Sequence, residues 1–280
     1  MDTIESICAA YLADRQGQVA AWESLDYALR PVRASLGPLT PEMVSRRLVR
    51  EYTAQRLKDG RRPATVNKEL RTLRQALSLA VKECDIDSAP HIEIPGEGAP
   101  RNRWLSPAEA NALLEACRRR HIRTFILVAL HTGARKGAIL ELTWDRVGLD
   151  QRLIMFPPPA NPRTKKRRSI VPVNDTLLTH LSEIRERAVT NWVIEYAGHP
   201  VTAISSDTWR RLVKRAGIDH CTPHDLRRTC ATWMVQAGIP TAKVARYLGD
   251  REEMIERVYG HHQPGYLKDA AAALDQMGGA

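Results

Sequence analysis

Four times along the chain a proline stands one position inside an expected helix start: Thr40-Pro41, Arg62-Pro63, Ser106-Pro107 and Thr222-Pro223. At the first helical position proline has no amide to leave unpaired, and its fixed φ already suits a helix, so there it marks a beginning rather than a break. Ser106-Pro107-Ala108-Glu109 adds the spacing of a capping box. With only two phenylalanines in 280 residues, Leu, Ala, Val and Ile must fill the interior, and that composition favours helices. The expected fold is mainly α with a minor β part (α+β), in a chain long enough for two domains with cores of their own.

Residues 1–88 read as one helical domain. Ile4, Ile7, Cys8 and Tyr11 share a helical face, and Val66, Leu70, Leu73, Leu77 and Val81 form the apolar stripe of a long helix opened by Arg62-Pro63. Segment 86–103 has three prolines, two glycines and no apolar period, which places a linker over 89–102 and a second domain over 103–280. In that domain Arg152–Phe156 and Ser169–Val173 read as two short strands flanking the proline- and cation-rich loop Pro157–Arg168. After Asn174-Asp175 the pattern is helical to the end, with breaks at Gly217, Gly238-Ile239-Pro240 and Gly260. No internal repeat is visible.

The formal charge is +10, which suits a polyanionic partner. Beyond residue 100 there are 28 basic and 18 acidic side chains, and the span 46–82 holds eleven Lys and Arg against Glu51, Asp59 and Glu69. Arg61, Arg62, Lys68 and Arg71 in that span are candidate phosphate contacts. The five cysteines are odd in number and lack C-x-x-C spacing, which argues against a disulfide framework or zinc module and for a reducing cytosol. The N-terminus is acidic where a signal peptide would be basic, and no apolar run reaches the length of a membrane span. A cytoplasmic protein with no membrane partner is expected.

Chemistry concentrates in two cationic motifs and one tyrosine. His224 and Arg227 sit three residues apart behind Thr222-Pro223, on one face of a helix's first turn, where unpaired amides and the helix dipole already favour an anion. Arg135 follows Thr132-Gly133 at another expected helix start, and glycine there allows a close backbone approach to a ligand. Two arginine forks can hold the non-bridging oxygens of one phosphate and stabilise charge built up in its transition state. Tyr259 ends the amphipathic run from Glu252 and precedes Gly260, a helix-stop signal. With a phenol pKa of about 10 it needs cationic neighbours or a general base to act as a nucleophile. None of the other six tyrosines follows both cationic motifs at comparable spacing.

In order and spacing these motifs resemble the tyrosine recombinase family of phage-integrase type. Its members have an arginine after T-G-x, a second in H-x-x-R, and a tyrosine nine residues after the third position of L-G-H. Those positions are here Arg135, His224 with Arg227, and Tyr259 counted from Asp250. Leu142-Thr143-Trp144-Asp145, Arg103-Trp104-Leu105-Ser106 and Ala64-Thr65-Val66-Asn67 extend the similarity over most of the chain.

The resemblance implies a site-specific recombinase or integrase that cuts and rejoins DNA strands through a 3′-phosphotyrosyl bond, with no metal, ATP or other cofactor. Tyr259 would attack, Arg135 and Arg227 clamp the phosphate, and His224 assist proton transfer or hold an oxygen. A lysine of the strand hairpin would protonate the leaving 5′-oxygen. The family's K-T position is Arg163-Thr164 here, which leaves Lys165 or Lys166; Arg163, Arg167 and Arg168 would grip DNA backbone.

Two positions depart from the family pattern: Asp250 replaces a histidine, and Ala138 replaces an acidic residue three after the first arginine. They keep open a catalytically impaired, integrase-like DNA-binding protein. Either another residue such as His261 or His262 substitutes for the histidine, or Asp250 orients a cation. The resemblance further implies double-stranded DNA as partner, clamped between the two domains, and a homotetramer on DNA linked by exchange of the C-terminal helix over 265–274. Accessory DNA-bending proteins and a bacterial or phage, nucleoid-associated setting belong to the same picture. The helical domain starts almost at once, which points to no separate arm-binding module. Metal-dependent hydrolysis through His261-His262 is a poor alternative, because neither of these histidines has another four residues away, the H-x-x-x-H spacing of a helical metal site.

Overall fold

The computed structural model describes residues 2–19, 22–96, 102–156, 169–265 and 267–268. They fall into two compact units, 1–101 and 102–280.

The first unit is built on α1 (Ile4–Arg15), α2 (Trp22–Leu36), α3 (Arg46–Lys58) and α4 (Pro63–Lys82). Helix α4 packs against the other three. The expected stripe is its inner face: Val66, Leu70, Leu73 and Leu77 are fully buried, each contributing roughly 1.5–3 kcal/mol of hydrophobic stabilisation, whereas Val81 is half-buried. Arg61, Arg62, Lys68 and Arg71 face solvent. A polar contact crosses this core: Tyr52 Oη donates to Glu69 at 2.7 Å, and Arg56 donates to both carboxylate oxygens at 3.1 and 2.7 Å. The pair satisfies Glu69, which is only 3% exposed.

One helix start differs from expectation. Thr40-Pro41 opens only a single 3-10 turn, Pro41–Met43. The α-helix that follows is capped instead by Ser45, whose hydroxyl oxygen accepts from the Leu48 amide at 3.3 Å. Of the segment 89–102, Ile92 is buried in the first unit's core, and Asn67 Nδ2 donates to the Pro95 carbonyl at 2.8 Å.

The second unit contains α5 (Pro107–Ala116), α6 (Arg120–Thr132), α7 (Lys136–Leu140), β1 (Val147–Gly148), β2 (Leu153–Met155), β3 (Ile170–Pro172), α8 (Asp175–Arg185), β4 (Glu195–Tyr196), β5 (His199–Pro200), α9 (Ser206–Arg215), α10 (Pro223–Gln236), α11 (Thr241–Leu248) and α12 (Glu252–Tyr259). Every residue from Thr124 to Leu130 of α6 is buried, the pattern of a helix enclosed on all sides, and α10 packs along it. The capping box at Ser106 forms as expected, with Ser106 N donating to Glu109 at 2.8 Å and Glu109 N to Ser106 Oγ at 3.2 Å.

Strands β1, β2 and β3 make an antiparallel sheet in that order. Ile154 faces Val171 across β2 and β3, both inward, while their neighbours along each strand point to solvent. The loop they flank, 157–168, lies outside the described residues, and with it Arg163, Lys165, Lys166, Arg167 and Arg168.

The expectation of unbroken helices after Asn174 is overturned. Helix α8 ends at Arg185, no α-helix follows before Ser206, and β4 and β5 form a second hairpin in between. Its turn places Ala197 at φ 51 and Gly198 at φ 77, the pair of left-handed residues a tight hairpin demands. Alanine rarely accepts that conformation, so the turn gave little signal. Gly217, Gly238 and Gly249 end their helices with positive φ. Gly260 does not: at φ −53 it carries the chain from α12 into a 3-10 turn over Gly260–His262. Of the run 265–274, only Gly265, Leu267 and Lys268 are among the described residues. No described helix is long and apolar enough to cross a membrane.

Candidate active site

Four chain segments meet in the second unit: the end of α6 with Arg135, the first turns of α10, the end of α11 with Asp250, and the end of α12 with Tyr259. Gly133 closes α6 in the left-handed conformation, φ +60. A Cβ there would stand 2.2 Å from Leu248 Cδ2 and 3.2 Å from Cys230 Sγ. The positive φ and the close packing of α10 and α11 each require a glycine here.

At the start of α10, Asp225 reaches back to the Thr222 amide and hydroxyl, both at 2.8 Å, and accepts from Arg228 at 3.0 Å. That fixes the first turn. One turn further, Arg227 is nearly buried, 6% exposed. Its Nη1 donates to the carbonyls of Gly133 at 2.7 Å and Leu248 at 2.9 Å, and its Nη2 to Asp250 Oδ2 at 2.8 Å. The fork thus stitches the end of α6 to the end of α11. Arg135 caps α7 with its backbone and donates to the Gly249 carbonyl and to Asp250 Oδ2, each at 3.4 Å. Two guanidiniums from distant motifs converge on one carboxylate oxygen. Asp250 thus pairs with both cations in the structure.

His224 reaches solvent from the first turn of α10. Its pKa is lowered, first by the desolvation of its ring and then by Arg228, Arg227 and Arg135, with Asp225 opposing. The shift favours the neutral ring. Tyr259 is 8% exposed and packs with Cys230, Ala231, Val235, Val244, Ala245, Leu248 and Ile255. Burial pushes its phenol pKa up; Arg228 and Arg227 pull it down, and Asp250 and Asp225 add to the rise. The phenol is protonated at neutral pH.

The other described tyrosines differ in kind. Tyr11, Tyr52 and Tyr247 donate their hydroxyls to Gln75, Glu69 and the His131 carbonyl, and Tyr27 and Tyr196 are 64% and 61% exposed. Tyr259 is buried within electrostatic reach of Arg228 and Arg227, with no hydrogen bond from its hydroxyl to a described residue.

Tyr247 was not singled out by sequence. Its hydroxyl donates to the His131 carbonyl at 2.7 Å, tying α11 to the segment that leads into Arg135; an aromatic residue before Leu-Gly was the sole signal. Arg228, which acts on both His224 and Tyr259, could have been found from its three-residue spacing to Asp225. Ala138 is buried in α7 and brings no carboxylate. The His261 ring lies 4.0 Å from that of His262; His261 meets Asn102 at 3.4 Å and His262 stands edge-on to Trp104 at 5.9 Å. Neither histidine has a described contact with the arginines. Among the described residues no three His, Cys, Asp or Glu side chains stand together as a metal site.

The model of the phage integrase family matches residues 103–265, more than half of the chain. The protein belongs to the phage integrase family. It is 32% identical over 213 residues to the integrase of Salmonella phage P22, a match covering 69% of this chain and 52% of that protein. The chain thus spans about half the length of this curated relative. The Tn1549 transposon integrase in complex with transposon right end DNA superimposes with a TM-score of 0.80 at 20% identity, covering 98% of this chain and 99% of the other. The lambda integrase tetramer bound to a Holliday junction gives a TM-score of 0.74 at 17% identity, covering 90% and 78%. These likenesses show a shared fold.

Proposed function

We propose that this phage integrase family protein is a site-specific recombinase that breaks and rejoins DNA through Tyr259. The reading is carried above all by the convergence of Arg135 and Arg227 on one anion position in the unit that buries Tyr259. Arginine forks that already converge on one position suit a phosphate, and their contacts strengthen as charge builds in a pentacoordinate transition state.

The Tyr259 oxygen attacks phosphorus and its proton passes to His224, whose lowered pKa keeps the ring neutral and able to accept. The bond from phosphorus to the 5′-oxygen breaks, and that oxygen takes a proton from Lys165 or Lys166. The strand's 3′-phosphate remains as a diester on Tyr259. A 5′-hydroxyl attacking that diester reverses the step and restores the phenol. The phosphodiester energy is kept in the tyrosyl ester, so no nucleotide is required, and the two arginines supply the charge stabilisation that a metal would otherwise give.

Double-stranded DNA is the partner. Solvent-facing Arg61, Arg62, Lys68 and Arg71 of the first unit, with Arg163, Arg167 and Arg168 of the second, contact its backbone, and rising salt weakens binding steeply as counterions are released. The protein acts as a tetramer joined through residues 265–274 on DNA in a bacterial cell, as the lambda integrase tetramer bound to a Holliday junction suggests.

The test is a set of duplexes tiling the DNA that flanks the gene, each nicked near the candidate cleavage position so that a cut strand end diffuses away. A covalent adduct with the native chain and none with Tyr259→Phe supports the proposal. Specific binding without an adduct on any duplex favours the binding-only reading, and cleavage abolished by EDTA favours metal-dependent hydrolysis.

A further inference from the structure

We infer that Asp250 is a tethered counter-anion: its carboxylate fills the anion position between Arg135 and Arg227 in the DNA-free protein and must swing away before a phosphate can bind there. The inference rests on the reading of these arginines as a phosphate clamp.

One oxygen of Asp250 accepts from Arg227 at 2.8 Å and from Arg135 at 3.4 Å, so Nη2 of each fork is already engaged by a negative charge. Among the described residues Asp250 is the anion that Arg227 pairs with, and the arginine's other fork nitrogen is spent on the Gly133 and Leu248 carbonyls. The Asp250 side chain is 29% exposed, which leaves it a path to water that Arg227, at 7% side-chain exposure, does not have. The movable member of the pair is therefore the carboxylate. Its backbone lies just past the left-handed Gly249 at the end of α11, and swinging the carboxylate away also gives up the bond its Oδ1 accepts from the Arg251 amide at 3.1 Å, ahead of α12.

Physically, the arrangement does two things. It satisfies a buried guanidinium while DNA is absent, since a buried cation without a partner is costly. It also reduces the pull on stray phosphate: an oxyanion must displace Asp250 or share the site with a like charge, and its apparent affinity falls by the fraction of molecules with the clamp open. A duplex making many other contacts can meet that cost, whereas a free phosphate has nothing with which to offset it. The device thus favours the full DNA partner over small anions.

The experiment uses the full chain and inorganic phosphate, with chloride matched for ionic strength. Binding is read from the shift of thermal midpoint with concentration. Asp250→Asn removes the charge while keeping the shape, and should bind phosphate at least about tenfold more tightly than the native chain. Asp250→Glu, which restores a carboxylate, should bind as weakly as the native chain. Arg227→Gln should abolish the gain. Weaker phosphate binding by Asp250→Asn would make Asp250 a support for the arginines and overturn the inference.

A measurement on the native chain guards against a poorly folded variant. Crystals soaked in phosphate should show the anion on both arginines with Asp250 rotated away. Phosphate bound with the Arg227–Asp250 contact intact would equally overturn it. Neither readout requires cleavage, so failure to trap a tyrosyl adduct would refute the recombinase reading and leave this result standing.

Discussion

Gly133→Ala tests whether the end of α6 and the end of α11 are locked together in the way that positions both arginines. The substitution places a methyl group at φ +60, and the left-handed conformation costs an L-residue roughly 1–2 kcal/mol. The new carbon would also lie 2.2 Å from Leu248 Cδ2; overpacking of this kind costs about 1–3 kcal/mol more. The expected loss is therefore about 2–5 kcal/mol by urea denaturation. Gly217→Ala isolates the backbone part, because Gly217 has φ +66 and nothing within 4 Å of its added carbon; it should lose only about 1–2 kcal/mol. Trimming the clashing side chain with Leu248→Ala should make the double variant with Gly133→Ala less unstable than the sum of the singles by about 1 kcal/mol or more. The Leu248 carbonyl accepts from Arg227, so Gly133→Ala should also slow DNA cleavage beyond its loss of folded protein. Equal losses at the two glycines, or no coupling to Leu248, would refute the reasoning.

Three further outcomes are expected. Arg135→Ala and Arg227→Ala should each reduce cleavage on a trapped-strand substrate by at least about a hundredfold, as loss of a transition-state donor does, and change DNA binding in a gel-shift titration far less; equal losses would place both residues in binding alone. Glu69→Gln should cost about 2–4 kcal/mol of first-unit stability by chemical denaturation, the lower side of breaking a buried pair, because Arg56 at 17% side-chain exposure still reaches water. His121, His131, His180, His224 and His262 all have lowered pKa values, desolvation being the first cause of each. The unfolded chain therefore takes up protons first, so the thermal midpoint should hold above about pH 6.5 and fall as pH drops toward the depressed folded values. That decline should begin before the lowered carboxylates, Glu109 and Glu195 among them, lose their stabilisation near about pH 4.

Much of the architecture was legible in the chain because it is written in local chemistry. The α4 stripe, the Ser106 capping box and the strand pair around 157–168 each depend on residues within a turn or a hairpin of one another. Helix α3 starts at Ser45 and not at Thr40-Pro41 because the Ser45 hydroxyl oxygen accepts from the amide three residues on, a cap that the proline signal does not report. The β4–β5 hairpin was missed because Ala197 sits in a conformation alanine seldom adopts.

At the site, the residues were legible but their relations were not. Spacing named Arg135, His224, Arg227 and Tyr259, yet only packing shows Arg227 joining two helix ends. Asp250 looked like a defect in a motif, and the structure gives it two guanidinium partners instead. The same holds for Tyr247, whose contact with the His131 carbonyl joins residues far apart in the chain. Long-range hydrogen bonds of this type leave no periodic trace.

The account's central claim concerns one oxygen atom, and peptide mapping reaches it directly. Trypsin should release Val258–Lys268 from a trapped adduct, a peptide that carries both Tyr259 and Tyr266. Fragmentation by mass spectrometry is expected to place a 3′-nucleotidyl phosphate on Tyr259. The same mass on Tyr266, on another side chain, or joined through a 5′-phosphate would contradict the account.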